Sequence, residues 1–272
     1  MRASVGAVLA AVLALVLTAC GAPVPDGAGR PAGFAEDFED GALDASLWNT
    51  CHWWADGGCT IASNDEMQWY LPSQVSIEDG ELVLTAERAD TPGADGEVYP
   101  YRSGMVTTGP PDYDSDAKYA FTYGTVEARL RVPAGIGLWA ALWLLPADKE
   151  SRPEIDVLEV LGNDPSQLLM HFHPADRDEE SLGSAYETPE GRSFADGWRE
   201  VRLEWEPGRL RYFVDGEHVW EVTGDQVPDE PMYVVANLAV GGEYPGPPDD
   251  DTVFPATYRI DYIRVREQEH RS

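Results

Sequence analysis

Lysine is almost missing from this chain of 272 residues: Lys118 and Lys149 are the only two. With arginine the cations reach 19, against 49 Asp and Glu, for a formal charge of -30. Such a surface repels phosphates and anionic headgroups, which excludes nucleic-acid binding but not a neutral partner such as a glycan. Cysteine is scarce too. Cys20, Cys51 and Cys59 form no C-x-x-C pair and no His/Cys cluster, so nothing has the spacing of a zinc site. No internal repeat is present, and no stretch beyond the N-terminal region keeps a helical period. The 26 Gly and 21 Pro are too many breakers for a helical bundle. What is present suffices for one full core: 43% hydrophobic and 10% aromatic residues exclude a disordered chain.

The longest apolar run, Val5 to Leu17, is too short to span a bilayer but matches a secretory signal. It ends in Leu17-Thr18-Ala19-Cys20, which resembles the lipobox of bacterial lipoproteins. That resemblance implies a signal peptide over residues 1–19 and a lipid on Cys20, holding the protein at the cell surface. Residues 20–33, rich in Gly, Pro and Ala, then read as a flexible tether of roughly 20 Å. Lipidating Cys20 leaves Cys51 and Cys59, which in an oxidising compartment can close a short loop. The expected membrane contact is through the lipid alone.

From Phe34 to residue 268 the dominant period is two, as in half-buried strands. Thr125–Val132 alternates strictly. Val201–Glu206, Leu210–Val214 and His218–Val222 form a meander with turns at Pro207-Gly208 and Asp215-Gly216. Further strands are expected at Glu81–Ala86, Met232–Ala239 and Tyr258–Arg266. The fold class is all-β, an antiparallel sandwich or barrel in a single domain over residues 34–268.

One strand is chemically unusual. In Pro153-Glu154-Ile155-Asp156-Val157-Leu158-Glu159-Val160, alternation puts Glu154 and Asp156 on one face with Ile155 and Val157 in the core. Glu159 then falls on the core side, where an ionised carboxylate is costly. A β-bulge at Val157-Leu158 returns it to the acidic face. Folding gains nothing from three repelling carboxylates in a row; glycoside hydrolysis does. Neighbouring charges keep one carboxyl protonated as an acid while another attacks. A calcium site or a solvated acidic strand are the alternatives, though calcium usually takes its ligands from a loop with Gly at the bend.

At these residues the sequence resembles glycoside hydrolase family 16, on its laminarinase-like branch with the bulged E-x-D-x-x-E motif. Asn64-Asp65-Glu66-Met67-Gln68-Trp69-Tyr70 is similar to the family's cleft-lining N-x-E-x-Q-x-Y segment, and Asp79-Gly80-Glu81-Leu82 to its next turn. Phe121–Arg129, Gly137–Trp143, Gly162–Pro165, Asn237–Gly242 and Asp261–Val265 follow in the family's order. The resemblance implies a jelly-roll sandwich of two curved antiparallel sheets with a concave cleft. It implies a retaining endo-glucanase on β-1,3 or mixed β-1,3/1,4 linkages, with Glu154 as nucleophile, Glu159 as acid/base and Asp156 tuning the nucleophile. A β-galactan, an envelope exopolysaccharide, transglycosylation or a non-catalytic lectin-like module are the competing readings.

Asn64, Glu66, Trp139, Trp143, His171, Asn237 and Tyr244 are the expected substrate-binding residues. Trp139 is expected in the cleft, while Trp143 is either a sugar platform or core. His171 is expected to support the acids; His173 is expected to be solvated, no third metal ligand being evident beside the pair. Asp261 is either a ligand of structural calcium, with a carbonyl near Gly80, or an ordinary partner of an Arg. No cofactor is required for the chemistry, the partner is the polysaccharide, and a monomer is expected. Three segments depart from the family: Met105 stands for a cation, Ala140 and Leu142 lie in the W-P-A-F-W segment, and Tyr244 stands for Trp. Trp53 and Trp54, inside the Cys51 to Cys59 loop, form either a sugar subsite or a buried cluster.

Overall fold

The computed structural model describes residues 33–52 and 59–268. The signal segment 1–19, Cys20, nearly all of the tether, and Trp53 and Trp54 lie outside the described residues. About half of the described residues lie in strands, in two sheets, and the rest is turns, loops and two single-turn helices.

The six-stranded sheet runs Leu182–Glu187, Gln167–His173, Glu154–Leu161, Leu138–Pro146, Met232–Val240 and Met105–Thr107. The larger sheet runs from Glu217–Thr223 through Arg209–Val214, Arg199–Glu206, Gly124–Arg131, Ala256–Glu267, Glu81–Pro92 and Val98–Ser103 to Gln68–Tyr70. Gly33–Glu36 pairs onto Ala256–Glu267 from the side, and Val75–Glu78 onto Glu81–Pro92. The expected meander is present, with the Asp215-Gly216 turn at φ 49° and 81°. Two successive positive φ values make the tight turn whose twist suits a hairpin. One pairing is not antiparallel: Gln68–Tyr70 lies parallel to Val98–Ser103 at the sheet edge.

Between the sheets lies the main core. Leu142 and Leu144, Ile155 and Val157, Met170 and Phe172, and Val234 and Ala236 point inward from the smaller sheet. Leu130, Leu203, Tyr212 and Ile260 meet them from the larger. Each fully buried side chain of this kind contributes about 1.5–3 kcal/mol. Alternation therefore sends a second set of side chains to the other face of the smaller sheet, and that face carries the polar groups described next.

Candidate active site

The acidic strand Glu154–Leu161 sits between Leu138–Pro146 and Gln167–His173. Leu142 pairs with Leu158 and Trp143 with Asp156, so Val157 is the extra residue. The expected bulge is there. Ile155, Val157, Leu158 and Val160 are all core, while Glu154, Asp156 and Glu159 share the opposite face.

That face is crowded. Asp156 and Glu159 are 4% and 6% exposed. An oxygen of Asp156 lies within 4.8 Å of ligand atoms from Glu154 and His173 in one group, and from Glu159 and His171 in a second. Burial, then the charge of Asp156, pushes Glu154 well above the usual carboxylate range. Asp156 is raised too, by burial and by Glu159. Two carboxyls this close and this buried repel each other when both are ionised.

The neighbouring strand supplies both histidines, two residues apart on one face. His171 Nδ1 makes a short contact with Glu159 Oε2, and this bond holds the imidazole above its ordinary value. His173 is not simply solvated, as the sequence reading expected. Its Nε2 is 3.4 Å from Asp156 Oδ2, and its Nδ1 is 2.7 Å from Ser181 Oγ. The pleat sets the carboxylates of the adjacent strand opposite the histidines, His171 paired with Asp156 and His173 with Glu154, so each histidine gathers with a different pair of acids.

The two tryptophans of Leu138–Pro146 share a face but not a fate. Trp139 stands in the cleft, its ring edge-on to Tyr244 with centroids 5.2 Å apart. Trp143 is 8% exposed and packs with Trp69, Tyr70, Met105 and Tyr233. Its Nε1 donates to Asn237 Oδ1 at 2.8 Å, and Asn237 Nδ2 donates to the Tyr70 hydroxyl at 2.9 Å. Tyr70 donates in turn to Glu66 Oε2 at 3.3 Å, where Gln68 also donates, while Asn64 donates to Oε1. Glu66 is therefore a buried hub below the cleft. Burial pushes its carboxyl up to about 7, and the donors pull against that.

Behind Trp143 lies the disulfide Cys51–Cys59. Cys59 belongs to the same apolar cluster, and the His52 ring is 5.8 Å from Trp143. Burial pushes His52 down to about 3, so it is neutral packing.

The cleft has a volume of about 530 Å³, lined by Asn64, Trp139, Arg152, Glu154, His173, Glu243 and Tyr244 among others. A second hollow of about 520 Å³ shares Ser63, Asn64 and Glu154 with it and runs on past Trp143 to Lys149. The acids thus lie between two open stretches of groove. Ser63, Arg152 and Glu243 were missed by sequence reasoning. Arg152 could have been suspected, since it precedes the acidic strand by one proline; the other two lie on loops without signature.

Asp261 takes the second of its two expected places: Arg129 Nη1 is 2.7 Å from its Oδ2. Met105 is fully buried in the apolar cluster around Trp143.

The sequence model for glycosyl hydrolases family 16 matches residues 61–264. The chain is 32% identical over 247 residues to the endo-1,3-1,4-beta-glycanase EglC of Rhizobium meliloti, covering 85% of this chain and 50% of that protein. It is also 32% identical to glucan endo-1,3-beta-glucosidase A1 of Niallia circulans, covering 86% and 37%. The chain thus spans half or less of the length of these curated relatives. Among solved structures, the catalytic domain of an endo-1,3-beta-glucanase from Thermotoga petrophila superposes with a TM-score of 0.77 at 31% identity, covering 87% of this chain and 97% of that one. An endo-beta-1,3-glucanase from Pyrococcus furiosus gives 0.76 at 30%, covering 86% and 93%.

Proposed function

The chain belongs to the glycosyl hydrolases of family 16, and we propose that it cuts internal β-1,3 or mixed β-1,3/1,4 glucosidic bonds with retention of configuration. The observation that carries this reading is the gathering of Glu154, Asp156 and Glu159 on the floor of one groove open on both sides. A groove that continues past the acids suits a cut within a chain, where a blind pocket suits a cut at its end.

In this mechanism Glu154 attacks the anomeric carbon and forms a glycosyl-enzyme. Of the two close carboxyls, Glu154 is then the ionised one and Asp156 carries the proton. Glu159 gives a proton to the leaving oxygen, drawing on its short bond to His171. It then takes a proton from the incoming water, as microscopic reversibility requires. Trp139 and Tyr244 offer apolar ring faces for the sugar, and Asn64 and Arg152 offer donors for its hydroxyls.

The proposal extends to where the enzyme works. The N-terminal segment ending at Cys20 supports export, lipidation and a place on the outer cell surface, and the Cys51–Cys59 bond suits an oxidising compartment. We read the working form as a monomer.

Reducing-sugar release by the chain from Gly21 onward tests the reading, on laminarin, lichenan, agarose, β-galactan and chitin. Release from laminarin or lichenan that vanishes in Glu154→Gln supports it. Release only from a galactan keeps the mechanism and changes the substrate; the 29% identity to the keratan-sulfate endo-1,4-beta-galactosidase of Sphingobacterium multivorum makes that panel member worth including. Tight binding without release from any glycan would favour the lectin-like module.

A further inference from the structure

The floor of the cleft is also built like a site for a transition-metal ion. Two overlapping sets of three side chains converge there, Glu154 with Asp156 and His173, and Asp156 with Glu159 and His171. Within each set the ligand atoms lie within 4.8 Å of one another. Zinc bonds of about 2.0–2.2 Å to nitrogen and oxygen need ligand atoms roughly 3.5 Å apart, a change that side-chain rotation can supply.

A second observation points the same way. Asp156 is 4% exposed, and its Oδ2 has no hydrogen-bond donor. The group facing it is His173 Nε2, 3.4 Å away. A buried carboxylate oxygen without a hydrogen-bond donor is rare, and a cation between Oδ2 and Nε2 satisfies both atoms. Ser181 Oγ already holds the other nitrogen of His173, which fixes the ring with Nε2 toward the acids. Both histidine side chains are about a quarter exposed, at 28% and 26%, so an ion reaches them from the open cleft.

We propose that Asp156, together with His173 and Glu154 or with His171 and Glu159, binds one borderline divalent ion such as Zn2+ in the cleft. Mixed imidazole and carboxylate donors favour zinc, copper or nickel over calcium and magnesium, which prefer oxygen alone. Asp156 belongs to both sets, so the stoichiometry is one. The ligands are the groups that the hydrolytic mechanism uses, so the bound ion arrests that mechanism and a chelator restores it. Binding itself does not depend on the chain being a glucanase.

The test is calorimetric titration of the chelator-stripped full chain with ZnCl2, and separately with CaCl2. Expected are one Zn2+ per chain, no comparable heat from Ca2+, and at least a tenfold loss of Zn2+ affinity in the double variant His171→Asn/His173→Asn. That variant keeps His218 and the surface carboxylates, and its far-UV circular dichroism must match the parent. A parent that takes up no Zn2+ overturns the proposal. So does a folded double variant that binds Zn2+ as tightly as the parent, which would move the ion to the acidic surface.

Discussion

Trp143 Nε1 donates to Asn237 Oδ1 across 2.8 Å, and both residues are almost wholly buried. The bond begins a relay through Tyr70 that ends on Glu66, so four residues of the cleft floor stand or fall together. Asn237→Ala strands the Trp143 N–H and leaves the Tyr70 hydroxyl oxygen without its donor. Each buried group left without a partner costs roughly 1–3 kcal/mol. Urea denaturation should show a loss of about 2–4 kcal/mol; an unchanged midpoint would mean that water replaces the amide.

Trp139 should behave differently, because its ring faces the groove. Trp139→Ala removes a stacking surface for sugar and should raise KM about 5–30-fold, equivalent to about 1–2 kcal/mol, with a smaller change in kcat. Trp139→Phe should recover part of it. Steady-state kinetics on the preferred glucan decides; a large fall in kcat at constant KM would place Trp139 with the acids instead.

Much of this was legible beforehand. Thr125–Val132 and the meander alternate over five to eight residues, a local signal that no distant contact overrides. The bulge was legible for an energetic reason: Glu159 on strict parity would be an ionised group in the core. The division between Trp139 and Trp143 was not. Both lie on one strand face, and what covers Trp143 comes from Gln68–Tyr70 and from Cys51, His52 and Cys59, more than seventy residues away in sequence. The role of His173 was hidden likewise, since it depends on register with Glu154 across the strand pair.

Glu66 gives a pH prediction. Burial lifts its carboxyl from 4.5 to about 7, so the folded state keeps a proton that the unfolded chain releases. Its contribution is fully present below about 4.5 and is lost as pH rises through 7. The difference amounts to about 3 kcal/mol. Between pH 5 and 8 the parent should therefore lose stability relative to Glu66→Gln, whose amide does not titrate. Parallel stability curves for the two proteins would show that its hydrogen-bond donors hold Glu66 ionised throughout.

The disulfide joins residues eight apart, and closing so short a loop stabilises by about 2–3 kcal/mol through the unfolded chain. Cys51→Ser/Cys59→Ser should lower the urea midpoint accordingly. Because Cys59 packs in the Trp143 cluster, tryptophan fluorescence of the folded variant should shift as well. An unchanged midpoint would contradict the role given to the bond.

The account turns on Glu154 forming a covalent bond to sugar, and trapping that bond tests it most directly. The chain would be incubated with a 2-fluoro laminaribiosyl donor carrying an activated leaving group, digested, and mapped by mass spectrometry. The account predicts one fluoroglycosyl adduct per chain, on the peptide containing Glu154 and at that residue. An adduct on Glu159, or a substrate turned over with inverted configuration and no adduct, would contradict it.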